Sequence, residues 1–257
     1  MSGFRSLMQA LSAQCLATRQ AVEPPHMVDL DGRAVEVRLR PSAAARQLSM
    51  RLDPRDGAVL LTLPKGATPA QGLAFVCSKA DWLRARLAAL PPRHLFAPGQ
   101  RLPLLGVEHR LEHRPEARGG VWAEAGVIHV SGQADFFARR VTDWLKRQAR
   151  NEITRLAEPM AAALAHSAGA RPLRGIAIKD TQTRWGSCSS RGDLAFSWRL
   201  VLAPPEVLQY VVAHEVAHLA EMNHSPRFWR LVRKLSPEAP ALRAWLKRHG
   251  AELHRYG

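Results

Sequence analysis

The segment HEVAHLAEMNHS, residues 214–225, restricts the fold more than any other stretch of this 257-residue chain. It continues an apolar run in which Val207, Leu208, Val211 and Val212 lead into Val216, Ala217 and Leu219. That spacing predicts a helix buried on nearly every side. A buried helix cannot leave two imidazoles and a carboxylate unpartnered, since each uncompensated polar group costs about 1–3 kcal/mol. That cost favours a ligand role for the histidines over decoration of the helix.

On a helix His214 and His218 stand one turn apart on one face, so their rings can converge on a single cation. Neutral imidazole is a good ligand for zinc. Glu215 follows the first ligand at the edge of that face. In an HExxH arrangement it takes a proton from metal-activated water instead of binding the metal, which makes Glu215 the candidate catalytic base. A catalytic zinc wants three protein ligands and an open position. His224 is the favoured third. Asn223 is expected to take the left-handed conformation that ends the helix. Ser225 then caps a new helix that starts at Pro226 and carries Phe228, Trp229 and Val232. The chain reversal returns His224 to the metal. Glu221 is the rival, three residues beyond His218 on the same face, but a further turn of one helix points past the fourth corner of a tetrahedron. HExxHxxxxxH is also the metzincin spacing. Here Glu221 holds the place of that family's glycine, and no methionine follows Met222 to make its Met-turn.

The rest of the composition narrows the context. Three cysteines, Cys15, Cys77 and Cys188, lie far apart and form no CxxC, which excludes a disulfide framework and a cysteine zinc cluster and fits a reducing compartment. Cys188 has no histidine base beside it in sequence and reads as a buried thiol. No apolar run is long enough to span a bilayer and residues 1–20 lack a signal-peptide core, so a cytoplasmic protein is expected, with no membrane partner. The net charge of +15 attracts polyanions and admits nucleic acid or nucleotide partners, although a solvated basic surface explains it as well. The densest basic stretch is 227–255, where His249 and His254 are expected at the surface. A metal-dependent hydrolase of nucleotide phosphoanhydrides is one alternative, but the chain has no Gly-rich phosphate loop and no carboxylate cluster for magnesium. A DNA-associated protease or zinc-stabilised binding module is another, but a structural zinc would close its fourth position with cysteine or histidine.

Along the chain, residues 1–34 read as an irregular leader broken by Pro24 and Pro25. Residues 35–131 read as a β-rich subdomain with one helix. Strands are expected at 35–40, 46–53 and 58–64, with a turn at Pro54–Gly57. A single helix is expected over 69–90, with Leu73, Val76, Trp82, Leu83 and Leu87 on one face. A second β region covers 109–132, with a hairpin at AEAG. Residues 132–257 form the third segment. A long amphipathic helix starts near Ala134 and places Phe137, Val141, Trp144, Leu145 and Ile153 inward, with Pro159 expected to kink it or start a new helix. Strands follow at 176–180 and 193–201, and then the helix that carries the histidines.

Taken together, RWGSCSSRGDLAFSWRL, the HExxH helix and NHSPRFW, residues 184–229, resemble the YgjP-like metallopeptidase family, predicted metal-dependent hydrolases related to the SprT-like zinc proteins. The LRLDP-like hairpin around residues 50–54, ADWL at 80–83 and FAPGQRLPLLG at 96–106 extend the resemblance over most of the chain after residue 35. The resemblance implies an α+β fold in which a β-rich N-terminal half precedes a minimal zincin-like metallopeptidase core. It also implies zinc as cofactor, with His214, His218 and His224 as ligands and Glu215 as base, and a peptide or protein as substrate. In RWGSC, Arg184 and Ser187 are candidates to face the cleft; the alternative is that Trp185 is core and Gly186 and Ser187 are turn chemistry. Tyr210, one turn before His214, can line the site or pack in the core.

Overall fold

The computed structural model describes residues 25–257 and shows a mixed α+β chain, with strands concentrated in the N-terminal half and helices in the C-terminal half. It divides into two compact units. One runs to Arg51 and resumes over Ala58–Ala80; the other comprises Leu52–Gly57 and Asp81–Gly257.

The first unit is built on a sheet of order β1-β2-β4-β3, with β1 at His26–Leu30, β2 at Arg33–Ser42, β3 at Ser49–Leu52 and β4 at Val59–Pro64. Strands β2, β3 and β4 fall where their alternation predicts. Of the irregular leader expected over 1–34, residues 1–24 lie outside the described residues. Residues 26–30 depart from that expectation, pairing with β2 in an antiparallel register that sets Val28 against Val35. The core of this unit is Val28, Val35, Val37, Val59, Leu61, Leu63 and Val76. Helix α1, Pro69–Cys77, opens on a capping box between Thr68 and Gln71 and lies close over β4. A Cβ on its Gly72 would stand 2.7 Å from Leu61 and Leu63.

The single helix expected over 69–90 is two, α1 and α2 (Ala80–Ala88). Ser78 breaks it: its hydroxyl donates back to the Phe75 carbonyl at 2.8 Å, competing with the helical ladder. Leu83 and Leu87 are buried as expected, while Trp82 is exposed.

The second unit holds two sheets. One has the order β5-β6-β8-β7, with β5 at Arg101–Leu104, β6 at Val107–Arg114, β7 at Val121–Glu124 and β8 at Val127–Ser131. The AEAG hairpin forms as expected, with Ala125 and Gly126 both at positive φ, as a two-residue primed turn requires. Strand β5 was not anticipated; it makes a second hairpin of that kind, through Leu105 and Gly106. The Leu105 N–H donates to the Val201 carbonyl at 2.8 Å.

Helix α3, Phe137–Ala168, buries Phe137, Val141, Trp144, Leu145 and Ile153, the stripe its periodicity predicts. It runs through Pro159 as one element. Pro159 and Arg155 are both exposed, so the carbonyl that proline cannot pair with faces water. The second sheet has the order β10-β11-β9, from Gly186–Cys188, Asp193–Ser197 and Gly175–Lys179, with β10 antiparallel to β11 and β9 parallel to it. The strand expected to reach residue 201 stops at Ser197. Trp198–Leu202 is a buried 3-10 turn, begun where the Ser197 hydroxyl accepts from the Arg199 N–H. Helices α4 (Pro205–Ala217), α5 (Pro226–Leu235) and α6 (Ala239–Leu253) complete the unit. No helix among the described residues is long and apolar enough to cross a membrane.

Candidate metal centre

Helix α4 starts at Pro205, where a missing N–H costs nothing, and its flanks bury Val207, Leu208, Val212 and Val216. This burial fixes the rotation of the helix and hence the directions of His214 and His218. The helix ends sooner than its sequence predicts. His218 is its C-cap, the next residues close by tight i→i+3 bonds, and Asn223 has no positive φ. Tertiary structure takes the chain away: the Leu219 carbonyl accepts from the Arg171 N–H at 3.0 Å. Glu221 is therefore not on the face of His218. Its carbonyl oxygen, not its carboxylate, meets that residue, 3.0 Å from His218 Nδ1.

The turn into α5 forms as read from sequence. Ser225 is the N-cap, its hydroxyl accepting from the Phe228 N–H, and Pro226 is the first helical residue. His224 is thereby carried back over α4. Its Nε2 stands 3.1 Å from Nε2 of His214, and one nitrogen from each of His214, His218 and His224 lies within 4.8 Å of the others. Among the described residues this is the cluster of ligating side chains that could hold a metal ion. Phe228, fully buried, packs against all three imidazoles with ring centroids 4.4–4.9 Å away. Trp229 flanks His214 and His224.

The electrostatics suit a cation. Burial, reinforced by the neighbouring imidazoles, lowers the pKa of His214 to about 4, and burial lowers that of His218. Both rings are neutral near pH 7, with lone pairs available. Once its Nδ1 is engaged by the Glu221 carbonyl, His218 is left with Nε2 as the nitrogen that could ligate a metal ion. Glu215 is buried, and burial raises its pKa to about 7 against a smaller opposing effect of Arg184.

Beside Glu215 and His214 lies a cavity of about 250 Å³, walled by Trp185, Tyr210, Val211 and Leu246, with Arg184 on its lining. Tyr210 thus serves both core and site. Trp185 is half-buried, stacked on His254 with ring centroids 4.6 Å apart. His254, expected at the surface, is 7% exposed, because α6 folds its last turn against that indole. His249 is half-buried against Trp245. Cys188 is half-buried, and burial pushes its pKa up to about 11, the opposite of an activated nucleophile. Gly186 was read as turn chemistry. It lies instead in strand β10 with its Cα facing the Glu215 side chain.

Residues 48–249 match the family described as YgjP-like, metallopeptidase domain. Among solved structures, the metallopeptidase zymogen abylysin of Pyrococcus abyssi is 22% identical, over 36% of this chain and 93% of its own, with a TM-score of 0.31. No curated protein matches the chain.

Proposed function

Because the chain belongs to the YgjP-like metallopeptidase family, we propose that it is a zinc-dependent peptidase in which His214, His218 and His224 hold the ion and Glu215 is the general base. The observation that carries this reading is the convergence of three imidazole nitrogens beside a buried carboxylate. Two nitrogens on one tetrahedral zinc at about 2.0–2.1 Å stand roughly 3.3 Å apart. The 3.1 Å between His214 and His224 is close to that spacing. The donor set is all imidazole, with the rings of His214 and His218 neutral, and suits zinc.

Bound there, zinc would supply Lewis acidity, making a water acidic near neutral pH and polarising a peptide carbonyl. The chain's own residues do the rest. The Glu221 carbonyl holds the His218 ring in one tautomer and orientation. Phe228 and Trp229 exclude water from one side of the imidazoles and strengthen electrostatic interactions there. Glu215, with a pKa of about 7, can accept a proton at neutral pH and return it to the departing amine. The cavity walled by Trp185, Tyr210, Val211 and Leu246 would seat one apolar side chain of a peptide or protein substrate.

The test is a product screen by mass spectrometry on unfolded protein mixed with nucleoside triphosphates, run on zinc-loaded wild type beside Glu215→Gln. Fragments from the wild type alone, with one metal retained per chain in the variant, are expected. An undiminished rate in Glu215→Gln overturns the assignment of the base. Nucleotide products in place of peptides overturn the substrate class.

A further inference from the structure

Glu215 is buried, and its side chain lies close against the backbone of strand β10. We infer that Gly186 is the positioning residue for this carboxylate: strand β10 is bare at that point so that the Glu215 side chain can lie against its backbone. The inference rests on the reading of Glu215 as general base.

A Cβ built on Gly186 would stand 2.5 Å from Glu215 Cγ, 2.6 Å from Oε1 and 2.8 Å from Cδ. Gly186 is not among the residues at positive φ, so its backbone conformation suits any residue. The glycine is needed for space alone.

When the space is filled, something must yield, and the strand is not free to. Gly186 is paired with Phe196, which is fully buried. The Trp185 carbonyl accepts from the Ser197 N–H at 2.9 Å. The Trp185 indole is clasped by α6, stacked on His254 and so close to Gly250 that a Cβ there would lie 3.1 Å from it. Helix α4 is equally fixed, with Val212 and Val216 fully buried. The yielding part is the Glu215 side chain, which must turn from Cγ outward. An added methyl group therefore swings the carboxylate aside and leaves the backbone and the three imidazoles in place. The edge strand, Trp185 and α6 act as a wall that sets where the base stands.

The experiment compares Gly186→Ala with Gly175→Ala, a control in β9 of the same sheet where a Cβ would meet only Asp193 Oδ1 at 3.7 Å. Gly186→Ala is expected to keep one metal per chain and a cooperative melt. Its kcat should fall on the order of 100-fold, as a displacement of about 1 Å in a catalytic group can cause, with KM little changed. Gly175→Ala should turn over as wild type. A crystal structure of Gly186→Ala gives a readout independent of activity: the Glu215 carboxylate displaced, with His214, His218 and His224 unmoved. A carboxylate still in place, a wild-type kcat, or loss of metal or of the folded state overturns the inference. Glu215→Gln assayed alongside separates the two readings. If it turns over, the general-base reading falls, and the positioning role with it. If it is inactive while Gly186→Ala runs at the wild-type rate, only the positioning inference falls.

Discussion

His254 offers a quantitative test of the packing behind the site. Its ring is stacked on Trp185, it is 7% exposed, and its Nδ1 is buried without a hydrogen-bond partner among the described residues. Burial, and next the Arg199 guanidinium, lower its pKa to about 4, with Asp180 and Asp53 opposing. In the unfolded chain the same imidazole titrates near 6.5, so between those values the unfolded state binds more protons and stability rises with pH. The contribution is complete above about pH 6.5 and is lost as the pH falls towards 4. A drop of about 2.5 pKa units at about 1.4 kcal/mol each gives roughly 3–4 kcal/mol across that window. His254→Phe keeps an aromatic ring against Trp185 and removes the titration. Urea midpoints for the two metal-free proteins, at steps from pH 7.5 to 4.5, should show wild type losing roughly 2–3 kcal/mol more than the variant. Other groups, His214 included, titrate in both and cancel in the difference. Parallel stability curves would refute the reasoning, because they would mean that His254 is protonated as easily in the folded protein as in the unfolded one.

Three further outcomes are expected. His224→Ala should weaken zinc binding by more than the about 10–100-fold that follows loss of a residue merely orienting a ligand, measured by competition with a chromophoric chelator. Arg199 is 4% exposed and donates to Asp180 and to the Leu253 and Tyr256 carbonyls, so Arg199→Met should cost about 2–4 kcal/mol in chemical denaturation. Burial pushes the Cys188 pKa up to about 11 and shields the thiol, so iodoacetamide mapped by mass spectrometry should label exposed Cys77 before Cys188.

Features encoded within one or two turns of chain were legible without the structure. His214 and Glu215 lie on one helix with His218 at its C-cap because HEVAH continues an apolar helical run. The return of His224 was readable because Ser225 and Pro226 are strong start signals whose chemistry is local. The AEAG hairpin and the buried stripe of α3 belong to the same class. Features that depend on a distant partner were not legible. The apolar run Trp198–Leu202 reads equally well as a strand, and only its surroundings, including the Leu105 hairpin bonded to Val201, leave it a 3-10 turn.

The sequence by itself therefore determined the chemistry on offer: three imidazoles and a carboxylate, at spacings that local backbone geometry converts into convergence. Tertiary structure decided where that chemistry stands and in what environment. It ended α4 at His218 by drawing the Leu219 carbonyl to Arg171, which turned the Glu221 carbonyl, not its carboxylate, towards the imidazole. It buried His254 under Trp185 and set Gly186 against Glu215. The physical reason is one of range. Helix spacing and caps act over a few residues, whereas burial, close approach and the pKa shifts they produce arise between segments that meet only when the chain has folded.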